Sequence, residues 1–139
     1  ALANRRRGAE ATAMGTGAAA ARRDLIRPVL AHVEDHYREP ITLREVAEVV
    51  HVSPSRVRHV FKEVTGVGFK EYVTQLRVTE AKRLLVSTEL SVAEVAQSVS
   101  YSNLSQFYKV FDRTTSMSAA DYRRYYTPAR AEQAVAQAL

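Results

Sequence analysis

The chain contains no cysteine among its 139 residues. That absence excludes disulfides, thiolate nucleophiles and thiolate metal sites, and it suits a reducing compartment such as the cytoplasm. No apolar run approaches the roughly 20 residues that a helix needs to cross a bilayer. A nucleophile elbow and a phosphate-binding loop are also missing from the sequence, so it does not predict an enzyme.

Two histidines have the spacing of a metal site but not its surroundings. His32 and His36 are four residues apart on a predicted helix. Glu34 and Asp35 lie between them, but not in the order of an HExxH motif. We interpret the histidines as a surface pair, and we predict neither a metal nor another cofactor.

The positive charge is concentrated near the start of the chain. The net charge is +5 at pH 7, and residues 1–23 hold five arginines against one glutamate. The high isoelectric point is therefore mostly a property of this segment, and by itself it does not argue for nucleic-acid binding. The positions of the remaining charges therefore have to show whether the chain is suited to bind nucleic acid.

The sequence predicts one domain over residues 24–126, with an additional segment at each end. Residues 1–23 are rich in alanine, glycine and arginine and have few large apolar side chains. Such a segment cannot bury enough surface to order itself, so we expect a flexible linker or arm. Residues 127–139 could form a short helical tail, with Thr127 as its cap and Pro128 at its first position.

From residue 24 onward the apolar spacing is helical, and no strand-period alternation is present, which predicts an all-α fold. A first helix runs to Glu39-Pro40, with Pro28 in its first turn. The capping box TLRE at 42–45 begins a short helix. Ser53 and Pro54 begin another helix, which runs to about Thr65, and a long helix covers about residues 69–86.

The pattern then repeats, which outweighs any single motif. The inward positions of the short helix recur at an offset of 49, after a second capping box, SVAE at 91–94. Beyond the following turn the offset becomes 50, so Val57, Val60 and Phe61 correspond to Phe107, Val110 and Phe111. The chain thus carries two helix–turn–helix copies, at 24–68 and 88–126, joined by a linking helix at 69–87.

The stretch SPSRVRHVFK, residues 53–62, has two different faces. Val57, Val60 and Phe61, followed by Val64 just beyond the stretch, form an apolar packing face. Ser55, Arg58, His59 and Lys62 form a polar, basic face. On its own such a face would be read as solvated surface. In tandem copies with matched caps it indicates recognition helices that enter the major groove of DNA.

Residues 25–125 resemble the DNA-binding domain of AraC/XylS transcription regulators. The resemblance rests on TLREVAEVVHVSPSRVRHVFKEVTG, FKEYVTQLRVTEAKRLL and SVAEVAQSVSYSNLSQFYKVF followed by DYRR. It implies about seven helices, with two helix-turn-helix subdomains joined by a long helix. It also implies a cytoplasmic, nucleoid-associated regulator, usually an activator that contacts RNA polymerase. Any sensing or dimerisation domain would be missing here, so we expect monomeric binding to double-stranded DNA.

The candidate interface lies on both recognition helices, and the resemblance supplies its base-facing positions, which do not include Arg56, Lys62 and Asn103. In the first motif it comprises Ser55, Arg56, Arg58, His59 and Lys62. In the second it comprises Asn103, Leu104, Ser105, Gln106, Tyr108 and Lys109. Four predicted helix caps are expected near phosphates, namely Thr42, Ser53, Ser91 and Ser102.

The second copy departs from the family pattern. Ser100 and Ser116 stand where glycine is usual, and Ala119 stands where proline is usual. Asp112 matches Lys62 and would repel a nearby phosphate, while Leu104 offers a methyl contact but no hydrogen bond. We therefore expect the second motif to read bases less strictly than the first.

Two functions remain open from the sequence. The first is a sequence-specific regulator with two recognition helices in neighbouring major-groove segments. A linking helix of about 18 residues spans about 27 Å, and such segments lie roughly 34 Å apart. The alternative is a helical protein–protein interaction module that keeps the fold with weak or no sequence-specific DNA binding.

Overall fold

The computed structural model describes the backbone of residues 2–128 and the side chains of residues 17–128. The fold of this part of the chain is all-α, without strands, as predicted. Its seven helices are α1 (Leu2–His36), α2 (Leu43–Val50), α3 (Pro54–Thr65), α4 (Phe69–Ser87), α5 (Val92–Ser98), α6 (Leu104–Thr115) and α7 (Ala119–Tyr126).

The described residues fall into two compact units. The first is drawn from Ala1–Glu34 and Ile41–Phe69, and the second from Asp35–Pro40 and Lys70–Leu139. The first unit therefore contains most of α1 with α2 and α3. The second contains α4 from Lys70 onward, α5 to α7, and Asp35–Pro40, which is the end of α1 and the turn after it.

Helix α1 is longer than the sequence predicts. It begins at Leu2, so the described backbone of residues 2–23, predicted to be flexible, is helical. The reason is propensity: alanine and arginine are among the best helix formers, and a helix nucleated elsewhere extends through them at little cost. Pro28 lies inside this helix and not in its first turn.

The core of the first unit comes from three helices. Val57, Val60 and Phe61 of α3 are buried, as the apolar spacing predicts, and Phe61 meets Phe69 edge to face at 5.6 Å. Val64 was predicted on the same packing face but is 39% exposed. The other buried side chains of this unit are Ile26, Val29, Val33, Val46 and Ala47.

The second unit has one continuous apolar cluster. It joins α4, through Val78, Ala81 and Leu85, to the second helix–turn–helix copy. The remaining members are Val95, Ala96, Val99, Tyr101, Phe107, Phe111 and Ala119. The cluster holds α6 by its aromatic stripe and leaves the opposite side of that helix to solvent.

The caps confirm the repeat and correct one assignment. The side chain of Thr42 accepts a hydrogen bond from the Glu45 amide at 3.2 Å, although only this half of the first predicted box is formed. Ser53 caps α3, and Ser91 forms a full capping box with Glu94. The predicted cap Ser102 is wrong: Asn103 caps α6.

The reason for that correction is the single residue inserted in the second turn. With the offset of 50 that follows the insertion, Ser53 corresponds to Asn103 and not to Ser102. The Asn103 side chain accepts from the Gln106 amide at 3.1 Å, as the Ser53 side chain accepts from the Arg56 amide at 3.3 Å.

A charged network fixes residues 35–40 to α4 inside the second unit. Glu80 is only 8% exposed, and its carboxylate accepts from Arg83 and, at 2.9 Å, from Arg38. The Arg77 guanidinium donates to the Tyr37 carbonyl at 2.8 Å and to the Glu39 carbonyl at 3.0 Å. Two carbonyl groups beyond the end of α1 are thereby satisfied.

Candidate nucleic-acid interface

Helix α3 presents the predicted polar face to solvent. Its apolar stripe packs into the first unit and α2 packs against it, so the side chains on the other side cannot turn inward. The Ser53 cap and Pro54 in the first turn fix where the helix begins. All five candidate residues of this motif are exposed, namely Ser55, Arg56, Arg58, His59 and Lys62.

Four of these five side chains line one open concavity. Ser55, Arg58, His59 and Lys62 share it with Glu63, and its volume is about 430 Å³. The concavity brings together donors of the kind that read base edges and bind phosphates. It also holds an acid that the sequence did not single out.

Glu63 is the residue that sequence reasoning missed. Its Oε1 lies 2.9 Å from His59 Nε2, and its Oε2 accepts a hydrogen bond from Arg22 Nη1 at 2.9 Å. The i,i+4 spacing of His59 and Glu63 is a signal that the sequence contains. The contact with Arg22 has no such signal, because Arg22 is 41 residues away in the predicted linker.

Helix α6 repeats this arrangement with different chemistry. Asn103, its cap, and four further candidates are exposed, namely Ser105, Gln106, Tyr108 and Lys109. Tyr108 is 46% exposed, with its ring 6.3 Å from that of Phe107. Leu104 differs from the other candidates, because it is half-buried and packs against the apolar cluster of the second unit.

The last turns of the two helices carry the same charges in opposite order. Lys62 and Glu63 stand at the end of α3, and Asp112 and Arg113 stand at the matching places in α6. All four side chains are exposed. Asp112 thus places a negative charge where α3 has Lys62, and Arg113 places a positive charge where α3 has Glu63.

The described residues contain neither a metal-binding cluster nor a membrane-spanning helix. Among residues 17–128 no group of three histidine, aspartate or glutamate side chains could hold a metal ion. No described helix is long and apolar enough to cross a membrane. His32 and His36 are each partly buried on α1.

The sequence matches a family model described as a helix-turn-helix domain over residues 46–125. It is similar to the uncharacterized HTH-type transcriptional regulator YdiP of Escherichia coli K12, with 39% identity over 111 residues, 80% of this chain and 37% of that protein. The chain therefore spans little more than a third of the length of this relative.

Two solved structures resemble the fold closely. The C-terminal domain of AraT, a response regulator from Geobacillus stearothermophilus, matches with a TM-score of 0.72 and 31% identity over 74% of this chain and 86% of that one. The DNA-binding domain of the global transcriptional factor AdpA, solved in complex with a target DNA, matches with a TM-score of 0.69 and 27% identity over 73% and 92%.

Proposed function

The chain belongs to the AraC/XylS family of helix-turn-helix transcription regulators, and we propose that it binds double-stranded DNA sequence-specifically through two recognition helices. In this proposal α3 and α6 each enter a segment of the major groove. The observation that carries it is the exposed polar face of α3, opposite a buried apolar stripe, and its repetition on α6.

The first motif supplies the stronger base contacts in this proposal. Arg58 is exposed and can donate two hydrogen bonds to the edge of a guanine. Ser55 and His59 flank it on the same face. Lys62 in the last turn and Arg56 next to the cap suit phosphates, which position the helix without reading sequence.

In this proposal the second motif contacts base edges mainly with amide and hydroxyl groups. Gln106 can pair with the edge of an adenine, and Ser105 and Tyr108 can each make one hydrogen bond. Lys109 suits a phosphate or a guanine. Leu104 contributes little, since most of its surface is already used in packing. We therefore propose weaker base discrimination by α6 than by α3.

Helix caps supply backbone contacts in the same proposal. The starts of α2, α3 and α5, capped by Thr42, Ser53 and Ser91, carry the positive ends of the helix dipoles, which favour the negative charge of a phosphate. At the start of α6 the cap is Asn103 and not the predicted Ser102. Such contacts add affinity for every DNA sequence alike.

We further propose that the protein activates transcription through contact with RNA polymerase, and that this chain binds DNA as a monomer. The family resemblance supports the first part. The presence of two recognition helices on one chain supports the second, since a single chain can then contact two half-sites that simple repressors contact as a dimer.

The salt dependence of DNA binding tests this function. Displacing counterions from about six phosphates gives a slope near −5 in a plot of log affinity against log salt concentration. We expect such a slope for a random duplex, with additional affinity for a preferred sequence. A chain that binds a preferred and a random duplex equally would support the alternative function, a protein–protein interaction module.

A further inference from the structure

The carboxylate of Glu63 connects two side chains from different helices of the first unit. Its Oε1 lies 2.9 Å from Nε2 of His59, on the exposed face of α3. Its Oε2 accepts from Nη1 of Arg22, on α1, at 2.9 Å. Glu63 thereby links α1 to a side chain of the candidate DNA-reading face.

The backbone that carries Arg22 is anchored. Arg22 lies one helical turn before Ile26, which is 2% exposed, and two turns before Val29, which is fully buried. Because these residues hold α1 in the core of the first unit, the guanidinium starts from a defined position. The ordering cost of an ion pair formed by a flexible linker is therefore largely avoided.

The negative charge of Glu63 disfavours DNA binding at this face unless a positive charge balances it. It lines the same concavity as Arg58, His59 and Lys62. DNA phosphates approaching this face would meet a carboxylate, and like charges repel. Arg22 supplies a positive charge against Glu63, and its side chain is 44% exposed.

The second motif carries different side chains at the positions of Glu63 and His59. Arg113 takes the place of Glu63, and Lys109 takes the place of His59. No carboxylate stands at that position of α6, so no cation from another helix is required there. The pairing of α1 with the recognition helix is a property of the first motif.

We propose that Arg22 is a positioning residue of the first DNA-reading motif. By holding the Glu63 carboxylate it balances a negative charge on the groove face and keeps His59 in place. The DNA interface of the first unit then includes a residue of α1 that precedes the region resembling the family. This inference rests on the proposed function of α3.

The test is a double-mutant cycle on DNA affinity. The probes are a duplex enriched from a random library and a duplex of randomised sequence. We expect Arg22→Ala to weaken binding about three- to fivefold, the scale of one exposed ion pair. In a Glu63→Ala background the same change should have almost no effect, since the repelling carboxylate is gone.

Arg23→Ala is the matched control. It removes the same charge from the same helix, and Arg23 is exposed with no ion pair to another residue of the range 17–128. We expect it to weaken binding less than Arg22→Ala. Selection with the Arg22→Ala variant should also lose base preference at the position that His59 faces and keep the preferences of the second motif, with an unchanged melting temperature.

Three results would overturn the inference on a chain that binds DNA selectively. Equal effects of Arg22→Ala and Arg23→Ala would show a general charge effect. An undiminished effect in the Glu63→Ala background would show a direct phosphate contact by Arg22. Tighter binding by Arg22→Ala would show that α1 obstructs the groove face. If the unsubstituted chain binds no sequence selectively, the proposed function itself fails, and this inference with it.

Discussion

Ser100 and Ser116 hold backbone conformations that suit glycine. Their φ angles are 72° and 59°, in the left-handed region, where a side chain costs roughly 1–2 kcal/mol. In the first motif the matching residues are His51, with φ 55°, and Gly66, with φ 81°. Each copy of the repeat therefore has two residues in this left-handed conformation, and one of these four residues is a glycine.

Exchanging the residues at one matching pair tests this strain. We expect Ser116→Gly to raise the free energy of unfolding by about 0.5–1 kcal/mol and Gly66→Ser to lower it by a similar amount. No atom lies within 4 Å of a Cβ added at Gly66, so only the backbone conformation opposes the serine.

Gly68→Ser is the control for this pair. Gly68 has equally open surroundings and no positive φ. It directly precedes α4, where serine and glycine differ as helix caps by only about 0.3 kcal/mol, so a serine there should change stability little. Urea denaturation of the three variants measures the differences. Unchanged stability in Ser116→Gly would show that the left-handed serine carries no strain.

Arg58 and Lys62 separate base reading from backbone binding. In the proposed complex Arg58→Ala should cost about 1–3 kcal/mol on the preferred duplex and relax the preference at one base pair. Lys62→Ala should weaken binding to all sequences alike and make the salt slope shallower by about 1. Affinities of both variants for a preferred and a random duplex decide this. An equal loss on both duplexes for Arg58→Ala would make Arg58 a backbone contact.

At the scale of the element, the start of α6 tests the corrected cap. Asn103 accepts from the Gln106 amide, and Ser102 is an exposed neighbour one residue earlier. We expect Asn103→Ala to destabilise the chain by about 1 kcal/mol and Ser102→Ala to have little effect. Thermal or urea unfolding measures both. The reverse order would restore the cap that the sequence predicted.

The attachment of residues 35–40 to α4 should depend on pH through Glu80. The hydrogen bond from Arg83, helped by the charges of Arg38 and Arg83, lowers the pKa of Glu80 below its ordinary value of 4.5, although burial of the carboxyl acts in the opposite direction. A carboxyl with a lowered pKa in the folded state stabilises the fold above the unfolded pKa. That contribution is lost as the pH falls through the folded pKa.

Glu80→Gln should therefore destabilise the protein at neutral pH by about 1–2 kcal/mol. The difference from the unsubstituted chain should shrink as the pH falls below 4.5, the ordinary pKa. Glu89→Gln, at an exposed glutamate outside the network, is the control and should leave the pH profile unchanged. Denaturation curves at a series of pH values measure this. A constant difference from neutral to acid pH would contradict the role given to Glu80.

Helix α1 shows where element prediction from sequence failed. Its apolar spacing begins near Leu25, so a prediction based on burial starts the helix there. The alanines at 18–21 bury little but favour helix strongly, and the structure begins the helix at Leu2. Propensity added to an existing helix, and not burial, decides this boundary.

At the scale of the whole molecule, the repeat was the most predictive feature of the sequence. Apolar spacing and caps are local signals, and they predicted α2, α3 and α4 within a residue or two. The exposure of the α3 face followed from the same stripe, because residues opposite a buried stripe must face solvent.

The contacts between helices were not predictable in this way. Arg22 meets Glu63 across 41 residues, and Arg77 meets the Tyr37 carbonyl across 40. Polar side chains give no periodic signal that identifies such partners. The half-buried Leu104 and the exposed Val64 likewise depend on how neighbouring helices pack, not on their place in the repeat.

Selection from a random duplex library tests the claim that both recognition helices read DNA. Bound duplexes would be recovered at about 0.15 M salt, a physiological ionic strength, and sequenced. We predict two enriched blocks of base preferences, with the stronger one altered in the Arg58→Ala variant. One block with a loose flank would mean that α3 reads and α6 only clamps. No enrichment would contradict the claim and favour a protein–protein interaction module.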